Sequence, residues 1–258
     1  MPQTKIVFFD IDGTLIDMQA KKITPKMLET LHRLQDRGIK ICIATGRSPM
    51  VLPKIDGVAF DAYLTFNGSL CYDRKGVIFS NPIPHKDVVR FIQNAAALGR
   101  PVCVSTRDRL AANGTDTDLT DYFFIANESV PVADDFDAVC AEDIYQLMLG
   151  CRPKDYPALL DGAPGAKIAA WWDRAVDVIP AGGGKGIGIE KMLAYYGLDK
   201  AEALAFGDGN NDREMLQAVG TGVAMENGSP ELKALADEIC GPVYEDGIYH
   251  YCADKGLI

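Results

Sequence analysis

The sequence predicts an α/β fold: a doubly wound parallel sheet with a second, α+β module inserted into it. Three observations carry this. Short apolar runs end repeatedly on polar or glycine residues, as Ile6–Phe9 does before Asp10. Segments of helical periodicity separate those runs, the alternation that builds parallel sheets through right-handed crossovers. From about Pro82 to Gly182 the rhythm breaks, and it resumes after Ala181-Gly182-Gly183-Gly184.

The first run, Ile6–Phe9, is too short for a helix and rich in β-favouring residues, so it reads as a buried strand. Thr24-Pro25 opens a helix, with the hydroxyl as N-cap and proline in the first turn; Met27, Leu28, Leu31 and Leu34 give its apolar stripe and Gly38 ends it. Ile39–Ala44 and Ala62–Phe66 are the next strands, ending at Thr45-Gly46-Arg47 and Asn67-Gly68. Ser69–Tyr72 and Val77–Phe79 flank Asp73-Arg74-Lys75-Gly76 as a hairpin, for which Asn67-Gly68 serves as the entry turn. A helix over His85–Leu98 follows. Strand candidates at Val102–Ser105, Ile144–Leu149, Lys167–Trp172 and Ala175–Ile179 then mix with helical candidates near Leu119–Ala126 and Lys154–Leu160, the pattern of an antiparallel α+β module. Trp171 and Trp172 read as one core and one surface residue of a strand. The last third returns to α/β order: helix Lys185–Tyr196, strand Ala203–Phe206, helix Arg213–Ala218, strand Gly222–Met225, helix Pro230–Ala236, strand Glu238–Cys240 and a helix from about Asp246. The expected domains are therefore 1–81 with 183–258 as the core, and 82–182 as the insertion.

Bulk properties narrow the function. Acidic residues outnumber basic ones 36 to 26, a formal charge of −10, which disfavours nucleic acid and anionic membrane as partners. Met1–Lys5 is polar and the run after it is interrupted by Asp10, so neither a secretory signal nor a membrane span is expected. Seven cysteines without a C-x-x-C pair fit buried free thiols and a cytoplasmic location. Oligomeric state is open.

Polar groups collect at the strand ends: Asp10 and Asp12, Thr45, Lys185, and Asp208 with Asn211 and Asp212. In a parallel sheet these ends share one edge, where open α/β folds bind ligands. The acids suit a hard, oxygen-seeking cation such as Mg²⁺; the ammonium, hydroxyl and glycine-rich backbone suit an oxyanion such as phosphate. Gly182–Gly186 lacks the Ser/Thr and first glycine of a P-loop. Asp208-x-Asn210-x-Asp212 fails as a calcium loop, with Arg213 where glycine should stand. Three histidines without metal-like spacing argue against zinc.

The segments Asp10-Ile11-Asp12-Gly13-Thr14-Leu15, Ala44-Thr45-Gly46-Arg47, Lys185-Gly186 and Gly207-Asp208-Gly209-Asn210-Asn211-Asp212 resemble the four ordered motifs of the haloacid dehalogenase-like hydrolases, most closely the Cof-type, subfamily IIB phosphatases. The long stretch between Arg47 and Lys185 matches the type II placement of a cap domain, which closes over the core and reads the leaving group. The resemblance implies a Mg²⁺-dependent phosphatase acting on a small phosphorylated metabolite, a sugar phosphate for example, through an aspartyl-phosphate. Asp10 is then nucleophile and metal ligand. Asp12 is general acid and base, and gives its carbonyl to the metal beside Asp208. Thr45 and the amides of Ile11 and Gly46 hold the phosphoryl group, Lys185 neutralises it, Asn211 touches it, and Asp212 supports from behind. Asn67-Gly68-Ser69 departs slightly from the Asn-Gly-Ala frequent in such relatives. A phosphomutase is the alternative within the superfamily. A phospho-acceptor signalling module, another class, would be shorter and would lack the insertion.

Overall fold

The computed structural model describes residues 3–125, 127–170 and 172–258. They form two compact units: residues 3–47, Pro53–Ser80 and Gly184–Ile258 in the first, and Ser48–Leu52 with Asn81–Gly183 in the second.

The first unit is built on an eight-stranded sheet. Its strands are β1 (Ile6–Phe9), β2 (Lys40–Ala44), β3 (Ala62–Thr65), β4 (Leu70–Asp73), β5 (Gly76–Ser80), β11 (Ala203–Gly207), β12 (Thr221–Met225) and β13 (Glu238–Cys240), in the order β13-β12-β11-β1-β2-β3-β4-β5. β13 through β3 are parallel, with Ile6 opposite both Lys40 and Ala203. β1 is thus central, and the order reverses beside it: the chain runs outward through β2 and β3, then returns to β11 on the other side. Carboxyl ends diverge at such a point and leave a crevice for ligand.

All four residues of β1 are wholly inaccessible, which for large apolar side chains is worth about 1.5–3 kcal/mol each. Period-2 alternation sends Ile6 and Phe8 to one face, where they pack with Ile189, Met192, Met215 and Leu216 of helices α6 (Lys185–Tyr196) and α7 (Arg213–Ala218). Phe9 takes the other face and stacks on Phe206, centroids 5.5 Å apart; Phe206 in turn meets the edge of Tyr251 on α9 (Gly247–Asp254). Helix α1 (Pro25–Asp36) begins as its sequence indicates, with Thr24 Oγ1 accepting from the Met27 amide at 3.1 Å, and buries Met27, Thr30, Leu31 and Leu34. A short α8 (Pro230–Lys233) completes the unit.

The hairpin joins this sheet rather than leaving it. β4 runs antiparallel to β3, and β5 to β4. Asn67 and Gly68, at φ +51° and +92°, turn the chain back immediately after β3.

The second unit has its own five-stranded sheet: β6 (Cys103–Ser105), β7 (Leu110–Ala112), β8 (Gln146–Gly150), β9 (Ala166–Ala169) and β10 (Ala175–Pro180), ordered β7-β6-β8-β10-β9 and antiparallel throughout. Val88, Phe91 and Ala95 of α2 (His85–Ala97) and Leu159 of α5 (Tyr156–Leu159) cover one face; Leu119 and Phe123 of α3 (Thr117–Ile125) pack on Cys103, Ala112 and Met148 of the other. Strand β7 and the four-residue α4 (Phe136–Val139) were not expected: each is too short to show a period. The strand expected over Lys167–Trp172 ends at Ala169, so Trp172 is not a strand residue; its half-buried ring lies 4.3 Å from the Arg174 guanidinium carbon. Trp171, Ala126, Met1 and Pro2 lie outside the described residues. Among the described residues no helix is long and apolar enough to cross a membrane. All seven cysteines are free and buried.

Candidate active site

The residues singled out in the sequence converge within the first unit, at the carboxyl ends of β1, β2 and β11 and the start of α6. Asp10 follows β1 directly, and its amide still donates to the Phe206 carbonyl at 3.0 Å, which fixes its height against β11. The Asp10 carboxylate is buried and accepts from Lys185 Nζ at 2.7 Å through Oδ1. Lys185 is no solvated lysine: its side chain is 0% exposed, and its ammonium also donates to Asp212 Oδ1 at 2.5 Å.

Asp212 is fully committed. Its Oδ2 accepts from the amides of Asp208 and Gly209 at 3.0 and 2.9 Å, closing the 208–212 loop on itself. Asp208 receives the Thr14 hydroxyl on Oδ1 at 2.9 Å, and its carbonyl accepts from the Ser229 amide. Gly13, at φ +87°, passes so close to Asp208 that a Cβ there would overlap the carboxylate.

Carboxylate oxygens of Asp10, Asp208 and Asp212 all lie within 4.8 Å of one another. Ionising all three carboxylates against the single ammonium of Lys185 would leave two negative charges uncompensated in a largely buried space. The protonation equilibria register this. Burial drives the Asp10 carboxyl well above its ordinary range, the Lys185 ammonium pulls it back, and neighbouring acids add to the rise. Asp208 is pushed up to about 7 by burial and by Asp212, against the Thr14 hydrogen bond. For Lys185, burial favours the neutral amine, yet the carboxylates of Asp10 and Asp212 outweigh it and raise the pKa.

Both Asp212 oxygens already accept hydrogen bonds, Oδ1 from Lys185 and Oδ2 from two amides. Asp10 Oδ2, Asp208 Oδ2 and the Asp12 carbonyl, by contrast, accept no hydrogen bond among the described residues. That all-oxygen set, beside crowded carboxylates that only a further cation would neutralise once ionised, fits a hard divalent cation.

On the β2 side, Thr45 is 1% exposed; its hydroxyl accepts from the Arg47 amide at 3.1 Å and its carbonyl from the Asn67 amide at 3.0 Å. The amides of Ile11 and Gly46 find no acceptor among the described residues, an arrangement suited to an anion. Asn211, on the far side, donates through Nδ2 to Asn67 Oδ1 at 3.2 Å.

Asp10 and Asp12 do not share one partner. Asp12 turns its carboxylate to Arg47, which holds it by two hydrogen bonds of 2.8 and 2.6 Å. Sequence reasoning gave Arg47 no role, although it stands two residues from Thr45. Asn67 was missed as well. It does enter the hairpin, but it is also buried, bonded to Asn211, and packed so closely on Gly46 that a Cβ at position 46 would sit 3.1 Å from its amide nitrogen. Its place between a buried strand and a glycine was the one available signal.

Comparison with known proteins agrees with this geometry. The family model for haloacid dehalogenase-like hydrolases matches residues 7–252. The Bacillus subtilis (strain 168) protein YkrA is 34% identical over 257 residues, spanning 99% of each chain. Among solved structures, BT1666 of Bacteroides thetaiotaomicron, a phosphatase of the haloalkanoate enzyme superfamily, aligns at TM-score 0.92 with 30% identity, over 99% of this chain and 96% of that one. The subclass IIB sugar phosphatase BT4131 aligns at 0.90 with 28% identity, over 99% and 100%. The chain therefore belongs to the haloacid dehalogenase-like hydrolase family.

Proposed function

We propose that the chain is a Mg²⁺-dependent phosphatase that hydrolyses a small phosphorylated metabolite, a sugar phosphate in class, by way of an aspartyl-phosphate on Asp10. The observation that carries this is the buried cluster itself: a carboxylate with one oxygen on an ammonium and the other open, next to backbone amides without an acceptor among the described residues, and two further carboxylates crowded beside it. Bound Mg²⁺ would be held by Asp10, the Asp12 carbonyl and Asp208, and would supply charge neutralisation between the nucleophile and an incoming phosphate.

The remaining work falls to the chain. Thr45, the Ile11 and Gly46 amides, Lys185 and Asn211 hold the phosphoryl oxygens and orient phosphorus toward Asp10. In the first half, an Asp10 oxygen forms a bond to phosphorus, the bond to the substrate oxygen breaks, and Asp12 gives its proton to the departing alkoxide. In the second, Asp12 takes a proton from water as the water oxygen bonds to phosphorus and the Asp10–phosphorus bond breaks. Asp212 keeps Lys185 and the 208–212 loop in register. Residues 82–182 are assigned as the inserted cap, and the cytoplasm as the location, in keeping with seven buried free thiols.

Purified protein with Mg²⁺ should hydrolyse p-nitrophenyl phosphate, and Asp10→Asn should lose at least about 10³-fold in kcat, the scale of nucleophile loss. Retained activity in that variant would overturn the assignment. Phosphate release from a sugar phosphate without a bisphosphate activator separates a phosphatase from a mutase.

A further inference from the structure

Arg47 stands just past the Thr45-Gly46 turn, and its guanidinium meets the Asp12 carboxylate as a two-pronged fork. Nε donates to Oδ2 at 2.8 Å and Nη2 to Oδ1 at 2.6 Å. Two parallel bonds fix both the position of a carboxylate and the plane in which it lies, which a single donor does not.

The fork is itself anchored. The Arg47 amide donates to Thr45 Oγ1 at 3.1 Å, and its carbonyl accepts from the Phe66 amide at 3.0 Å. Asp12 is therefore tied to the turn that carries Thr45 and Gly46, not only to its own loop after β1. The pair is not a buried structural bridge either: the side chains are 31% and 34% exposed, in a range where an ion pair adds little stability. Its geometric effect outweighs its energetic one.

We infer that Arg47 is the positioning residue of Asp12, setting where that carboxyl stands for proton transfer in both halves of the reaction. This rests on the acid–base reading of Asp12 given above. A residue that acts through a general acid has a particular kinetic signature. Its loss matters when the leaving group needs a proton and is invisible when the leaving group departs as a stable anion.

The test uses the Mg²⁺-loaded enzyme with two esters, phenyl phosphate (poor leaving group) and 2,4-dinitrophenyl phosphate (good leaving group). Arg47→Ala should lower kcat/KM for the phenyl ester by about 10²-fold, the scale of general-acid catalysis, and leave kcat/KM for the dinitrophenyl ester nearly unchanged. With the dinitrophenyl ester the variant should show a burst of dinitrophenolate followed by slow turnover, because activating water still needs a well-placed Asp12. Millimolar guanidinium chloride should restore part of the phenyl phosphate rate. Arg47→Lys keeps the charge without the fork, and should show the same ester-selective loss even if the alanine variant folds poorly.

Equal loss on both esters with a raised KM would overturn the inference, since Arg47 would then be holding substrate directly. Wild-type behaviour of Arg47→Lys would overturn it too. Asp12→Asn, assayed in parallel, separates the two levels. If it discriminates between the esters and Arg47→Ala does not, only the positioning role falls; if Asp12→Asn does not discriminate, the acid–base reading falls and takes the inference with it.

Discussion

An Asp208→Asn substitution turns the crowding of carboxylates into a measurable stability change. Asp208 ionises near 7 in the fold against an ordinary 3.8, chiefly because it is buried and faces Asp212. The folded protein thus binds that proton more tightly than the unfolded chain does. Its contribution to stability is complete below about pH 4, falls as pH rises, and levels off above about 7. At 1.36 kcal/mol per pH unit the metal-free native state forgoes about 4 kcal/mol by pH 8. Asn keeps an oxygen for the Thr14 hydroxyl and removes the charge, so the variant should regain about 2–4 kcal/mol, on the order of 5–10 °C in Tm for a chain of this size. The assay is thermal unfolding in chelator at pH 8 and pH 5. The variant should melt higher at pH 8, and the gap should shrink by more than half at pH 5. Millimolar Mg²⁺ should raise the wild-type midpoint and not the variant's. Equal midpoints in chelator at pH 8, or a gap indifferent to pH, would refute the electrostatic account.

Lys185→Met should have the opposite effect, costing about 3–5 kcal/mol at pH 8 because Asp10 and Asp212 lose their buried counter-charge; urea unfolding should show the cost shrinking at pH 5. Ser69→Ala should stabilise by about 1 kcal/mol in the same assay, since the Ser69 hydroxyl is fully buried and finds no hydrogen-bond partner among the described residues. Gly13→Ala should abolish phosphatase activity while the protein still folds, checked by circular dichroism, because its Cβ meets Asp208 at a backbone angle that disfavours any side chain.

Much of the core was legible because its signals are local. Ile6–Phe9, Lys40–Ala44 and Ala203–Gly207 are dense apolar runs that stop at a polar residue, and Thr24-Pro25 declares its helix by capping chemistry. What escaped has no local signal. Leu110–Ala112 becomes a strand only because Cys103–Ser105 pairs with it, and three residues cannot show a period. The hairpin's membership in the main sheet depends on Thr65 meeting Leu70 across a left-handed turn. The site divides the same way. Asp10, Asp208 and Lys185 were found because order on successive strand ends implied convergence. The Arg47–Asp12 fork and the Asn67–Asn211 bond are pairings of side chains 35 and 144 positions apart, which residue types alone do not announce.

The register of the central strand bears on how the enzyme is made. Ile6 pairs with Lys40 on one side and Ala203 on the other, so 163 residues separate the two partners of the strand that carries Asp10. At the usual pace of about 5–20 residues per second, a ribosome needs roughly 8–33 s to make the second partner after the first. Over that interval one edge of Ile-Val-Phe-Phe is unpaired and adhesive, whereas every strand of the five-stranded sheet finds its neighbours between residues 103 and 180. Synthesis therefore favours early completion of the inserted unit and late assembly of the sheet edge on which Asp10 and Asp208 meet.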